Sequence, residues 1–214
     1  MPEACRMGIQ EEIHAKRAYI KHMLEAFNVE VMISDIGLCV PDWAPYLGAS
    51  PDGVVYNRHD VNKEPWLLEV KCLYDKHLLP LTIKEIVKDR GHTSYLRLVG
   101  DHYELRKEHN YYAQIIGQMA ITGIKFTHLA VYAPRTKELI TVIVHFNNKD
   151  WTPLKSKLDE FYNQYMDSGQ MDTSAPMEEN DIPMDISNEY VSVYELVPHL
   201  QSHHSSSNYF EKPV

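Results

Sequence analysis

SPDGVVYNRHDVNKEPWLLEVKC, residues 50–72, is the stretch on which the fold of this chain turns. Two runs rich in β-branched and aromatic residues, Val54 to Tyr56 and Trp66 to Cys72, are joined by the polar loop Asn57 to Glu64. That arrangement predicts a long-looped hairpin. Alternate residues of a strand share a face, so Glu69 and Lys71 project together while Leu68, Val70 and Cys72 point the other way. A charged pair inside an apolar strand is costly unless it is matched or binds something. If this strand pairs with the one that Asp52 begins, the Asp52 carboxylate reaches the Glu69 face. Two carboxylates at close range repel, and a divalent cation removes the repulsion; hard oxygen ligands of this kind suit Mg²⁺, with Mn²⁺ as a substitute. Lys71 would orient a water there. Each piece alone is bland, since Pro-Asp-Gly is an ordinary turn and E-x-K is usually a solvated pair. An Asp at a strand entrance followed, at a hairpin's distance, by E-x-K in a buried-looking strand is more informative.

Upstream, residues 7–27 read as an amphipathic helix. Ile9, Ile13, Ile20, Leu24 and Phe27 keep helical spacing, and Gly8, Glu12, Ala15, Tyr19 and Met23 line the adjoining stripe, which turns Glu12 inward. Gly37, Pro41, Pro45 and Gly48 break the next stretch into short strands and turns, with Asp42 reading as a turn residue. Downstream, residues 82–89 suit a short helix, and Gly100-Asp101 joins a second hairpin. Residues 109–122 have the cleanest helical period, with Tyr112, Ile115, Ile116 and Met119 on the apolar side. Gln114 and Gln118 sit one turn apart on the polar side with Tyr111, either as a solvated face or as a wall toward phosphates or a water. Two strands, 127–132 and 139–146, and a helix over 149–166 complete the body. The order is helix, strands, helix, strands, helix around one mixed sheet.

The chain has 214 residues and a formal charge of −9. Residues 1–157 carry a balance of +1 and residues 158–214 a balance of −10, so the acidity belongs to the tail. The reading is a domain over 1–166 and an acidic, mobile tail over 167–214. A neutral body with clustered bases is compatible with a polyanionic partner. Three scattered cysteines argue against a disulfide framework and for an intracellular setting, cytoplasmic or nuclear. No signal peptide or membrane span is legible. Phosphate-binding and dinucleotide-binding glycine motifs, G-x-S-x-G and H-E-x-x-H are absent from the sequence.

G-x-x-x-E-x-x-A-x-x-x-Y (Gly8, Glu12, Ala15, Tyr19), S-P-D-G (Ser50 to Gly53), L-E-V-K-C (Leu68 to Cys72) and Y-x-Q-x-x-G-Q-M (Tyr112 to Met119) occur in that order. Together they resemble the lambda-exonuclease type of nuclease, the YqaJ viral recombinase family, over roughly residues 6–165. The resemblance implies an α/β (α+β) fold with a restriction-endonuclease-like core, a mixed β-sheet flanked by α-helices. It implies Asp52 and Glu69 as metal carboxylates, the Val70 carbonyl as a further ligand, and Lys71 as the group that positions the attacking water. Glu12 resembles the helical acid that completes the site, and Asp42 falls where a further carboxylate can stand. Gln114 and Gln118 correspond to the polar helix face near the water. Ser50, Tyr111, Arg90 and Lys107 are the expected DNA contacts. Ile116 stands where the family often has a glutamine, and only eleven residues precede Glu12, where lambda-type enzymes have a helical region that helps bind the 5′ phosphate.

The implied activity is Mg²⁺-dependent hydrolysis of double-stranded DNA, 5′ to 3′, linked to recombination. Implied partners are DNA ends, a single-strand annealing recombinase and further copies of the chain. The rival readings are a structure-specific endonuclease and a non-catalytic DNA-binding or protein-interaction module of the same fold.

Overall fold

The computed structural model describes residues 3–60, 63–73 and 81–167; the expected acidic tail lies, but for its first residue, outside the described residues. Among the described residues the α-helices and strands are α1 (Glu3–Phe27), β1 (Val31–Ser34), β2 (Gly53–Asn57), β3 (Trp66–Cys72), α2 (Ile83–Arg90), β4 (Leu96–Val99), β5 (His102–Leu105), α3 (Asn110–Thr122), β6 (Phe126–Ala133), β7 (Glu138–His145) and α4 (Asn148–Tyr162). Five strands form one sheet in the order β1-β2-β3-β6-β7, and β4-β5 is a separate hairpin. The large sheet is mixed. Among the described residues β3–β6 pairs parallel, with Leu67 opposite Thr127 and Cys72 opposite Tyr132, and β1–β2, β2–β3 and β6–β7 pair antiparallel. A parallel pair needs a long crossover, and residues 73–125 supply it with α2, the hairpin and α3.

Strand alternation splits the core into two. On one face Leu68, Val70 and Ala130 pack against Ala15, Tyr19 and Met23 of α1. On the other, Leu67, Leu129 and Val131 pack with Ile115, Ile116 and Met119 of α3, Ile86 of α2 and Trp151 of α4. On α1 the buried stripe is the one expected to turn Glu12 inward. The stripe of Ile9, Ile13, Ile20, Leu24 and Phe27 is exposed, and the adjoining stripe of Ala15, Tyr19 and Met23 is the one buried. The small Ala15 allows the helix to lie close on the sheet, and Tyr19 supplies a hydroxyl that the buried sheet residues need, as shown below.

Two glycines fix the segments that carry the site. A Cβ on Gly53 would stand 2.5 Å from Ile33 Cγ2, so β2 lies against β1 only with glycine there. Gly123 ends α3 in the left-handed region at φ 75°, its N–H donating to the Met119 carbonyl.

Candidate active site

Gly53 pairs with Leu68 across the β2–β3 ladder, which brings Asp52 level with Glu69. Asp52 Oδ2 accepts a hydrogen bond from the Val70 N–H at 2.7 Å, so the turn carboxylate is docked on the backbone of the E-x-K strand. Glu69 and Lys71 project to the same face, as the alternation requires, and Lys71 Nζ donates to Glu69 Oε1. α3 closes the site from above. Gln114 Nε2 donates to Glu69 Oε1 at 2.8 Å and Gln118 Nε2 to Glu69 Oε2 at 2.8 Å. Glu69 is 1% exposed and is held by three N–H donors from two elements. The one-turn spacing of the two glutamines matches the two oxygens of one carboxylate. The polar side of α3 is therefore not a solvated face: Gln118 is buried and Gln114 reaches in from an exposed position.

The Lys71 ammonium lies 4.5 Å from the centre of the Tyr111 ring, a cation–π contact that restricts where it can point. Tyr111 is itself braced by Tyr95 and His109, with ring centroids at 5.0 and 4.6 Å. Glu12 on α1 pairs with Lys16 at 2.8 Å, and its charge acts on Asp52. Lys16 also meets Asp35 at 3.1 Å. This lysine was missed in the sequence, although a Glu followed four residues later by Lys on one helix is a legible signal.

The electrostatics report crowded negative charge. Asp52 is pushed up to about 6, first by burial and then by the charge of Glu69, with a smaller push from Glu12; the Val70 N–H and Lys71 pull the other way. The Cys72 thiol is pushed up to about 12 by burial and then by Glu11, Glu12 and Asp52. The charges of Glu69 and Glu12 thus both act on Asp52. Such a set of hard oxygens with unrelieved repulsion fits a divalent cation such as Mg²⁺ or Mn²⁺. Among the described residues no group of three or more His, Cys, Asp or Glu side chains stands close enough to form a complete ligand cage by itself.

Other expected residues fall elsewhere. Asp42 is exposed and is not among the charges that act most on Asp52. Lys107 is engaged with Asp150 at 2.9 Å and lies over the Tyr112 ring, so its charge is already matched. Arg90 ends α2 and acts on Tyr95, the ring that braces Tyr111. Ser50 is exposed two residues before Asp52 and lines a cavity with Gln114 and Gln118. Trp43, exposed beside Asp42 and in edge contact with Trp151, was also missed; a lone tryptophan in a breaker-rich loop was its only signal.

The model of the family described as YqaJ-like viral recombinase domain matches residues 3–125. Among solved structures, the chain is similar to an alkaline exonuclease (LHK-Exo) from Laribacter hongkongensis. The TM-score is 0.53 at 19% identity, over 77% of this chain and 69% of that one. LHK-Exo in complex with dAMP gives 0.52 at 18% identity, over the same shares. None of the curated proteins matches the chain. The structural likeness bears on the fold, which is a restriction-endonuclease-like core with its mixed sheet between helices.

Proposed function

Because this chain belongs to the family of YqaJ-like viral recombinase domains, we propose that it is a divalent-cation-dependent deoxyribonuclease that degrades double-stranded DNA from its ends, 5′ to 3′. The observation that carries the proposal is the buried Glu69, held by Lys71, Gln114 and Gln118 beside an Asp52 whose ionisation its charge opposes. A purely structural carboxylate would be matched once and left; this one is oriented by three donors and kept next to a like charge.

Asp52 and Glu69, with the Val70 carbonyl and with Glu12 behind them, would hold Mg²⁺. When bound, the ion supplies positive charge for the attacking and leaving oxygens of the phosphodiester. Gln114 and Gln118 fix both oxygens of Glu69 in one orientation, so the carboxylate needs no rearrangement as charge develops. Lys71, confined by the Tyr111 ring, presents its ammonium where a water can be aligned for in-line attack and where anionic charge on phosphate is stabilised. Tyr111 under this ammonium, Ser50 beside Gln114 and Gln118, and Arg90 at the end of α2 are the proposed contacts to DNA. Proposed partners are a single-strand annealing recombinase and further copies of the chain.

The test is digestion of linear duplex labelled at the 5′ or the 3′ end, beside a covalently closed circle, in Mg²⁺. Loss of linear duplex with release of the 5′ label first, and a spared circle, is expected. A cut circle would replace the proposal with an endonuclease, and binding without cleavage would replace it with a non-catalytic module. No helix among the described residues is long and apolar enough to cross a membrane.

A further inference from the structure

The two glutamines that hold Glu69 also line a cavity of about 480 Å³ between residues 47–50, α3 and α4. Sites for small organic groups run from about 300 to 1,000 Å³. Apolar residues such as Ile121, Trp151 and Leu154 line most of it, and its polar residues are Ser50, Gln114 and Gln118. Gly117 lines it too, and a Cβ there would meet nothing nearer than the Trp151 ring at 4.0 Å, so a larger side chain has room to enter.

Gln118 carries the informative detail. Its Nε2 must donate to Glu69, because a carboxylate only accepts. The amide oxygen is thereby assigned, and it is buried without a partner. A buried acceptor without a donor is costly, and such atoms are rare in folded proteins. Trp43 adds an independent observation. Its indole is 53% exposed, packs edge-on to Trp151 at 6.4 Å and has the Lys155 ammonium 5.6 Å from its centre.

We propose that this cavity, with Trp43 packed on its wall, binds an unpaired nucleobase of the DNA and that Gln118 accepts a hydrogen bond from that base. The inference rests on the nuclease reading and deepens it. A base supplies together what the cavity lacks: a flat apolar body for the Trp151 wall and an N–H donor for Gln118. An apolar protein side chain would fill the space and leave Gln118 unmatched. Base–aromatic stacking is sequence-tolerant, so the site would serve any base that offers a donor.

The experiment uses the full chain in EDTA, so that nothing is cut. Duplexes carry one unpaired terminal nucleotide, at the 5′ end in one set and the 3′ end in another. That nucleotide holds 2-aminopurine, unsubstituted purine, which has no N–H donor, or an abasic sugar. Binding of the 2-aminopurine end about tenfold tighter than the abasic end is expected, with purine between them and 2-aminopurine fluorescence quenched on binding. Trp43→Ala and Gly117→Val should each reduce the preference to within about twofold, and Trp43→Phe should retain part of it. Trp43 is exposed, so its variants are expected to fold normally, which thermal unfolding checks. Equal affinity for base and abasic ends in the wild type, or undiminished preference in both cavity variants, overturns the proposal. Mg²⁺-dependent cleavage by the wild type separates the two levels. Cleavage without base preference removes the cavity assignment alone, and no cleavage of any duplex removes the nuclease reading and the cavity with it.

Discussion

The two faces of the sheet each bury a polar cluster, and they solve the problem in opposite ways. On the α1 face the Trp66 Nε1–H donates to the Tyr19 oxygen at 2.8 Å. The Tyr19 hydroxyl also hydrogen-bonds His128 Nδ1 at 2.8 Å. Burial, then the nearby His145 and His22, hold His128 down at about 4, so it is neutral at ordinary pH. This cluster is closed and uncharged. On the α3 face Glu69, Lys71, Gln114, Gln118 and Asp52 form a cluster that is charged, carries an excess of carboxylate and leaves the Gln118 oxygen unmatched. A polar group kept for the fold is matched and left neutral; one kept for chemistry is left with unbalanced charge.

Breaking the charged cluster should remove activity and leave the fold. Glu69→Gln and Asp52→Asn keep the shape of each side chain and remove one anionic charge. Each is expected to lower Mg²⁺-dependent cleavage by about a thousandfold or more, with thermal unfolding in EDTA undiminished. Full activity in either variant would strip that residue of its role.

Breaking the neutral cluster should do the reverse, and pH is the gentlest way. In the unfolded chain His128 takes up a proton near 6.5; in the folded protein it does so only at about 4. Its contribution is fully present above about 6.5 and is lost as pH falls toward 4, amounting to about 3 kcal/mol. His22, His145 and Tyr19 are the titratable groups around it. Urea unfolding between pH 7 and 4 should show the fall, and His128→Gln should flatten it; an equal slope in that variant would place the acid sensitivity elsewhere.

Lys71→Ala sharpens the contrast within the charged cluster. A fall in turnover of about a hundredfold, with DNA binding retained, is expected from single-turnover cleavage beside a binding titration. Tyr19→Phe does the same for the neutral cluster. It strands the Trp66 N–H and the His128 Nδ1 and should cost about 2 kcal/mol of stability, measured by denaturant unfolding, while specific activity at 25 °C stays near wild type.

The charged cluster was largely legible in the sequence because its parts are local. Strand alternation puts Glu69 beside Lys71, helical spacing puts Gln114 beside Gln118, and a hairpin suffices to deliver Asp52. The neutral cluster was not legible, since its members Tyr19, Trp66 and His128 come from three elements and meet only after the parallel β3–β6 pairing forms. The face of α1 was legible only in part. Helical period identifies two adjacent stripes, and it takes the sheet to choose the one with Ala15 and Tyr19 over the one with Ile13 and Leu24. Asp42 and Lys107 could not be placed from type and position alone: one is exposed in a turn, and the other is paired with Asp150.

The central claim, that the Asp52–Glu69–Lys71 cluster is a cation-dependent nuclease centre, is tested most directly by following one linear duplex with the wild-type chain in Mg²⁺, in Mn²⁺ and in EDTA. Progressive digestion in Mg²⁺ and Mn²⁺ and an intact duplex in EDTA is the expected result. Undiminished digestion in EDTA would contradict it.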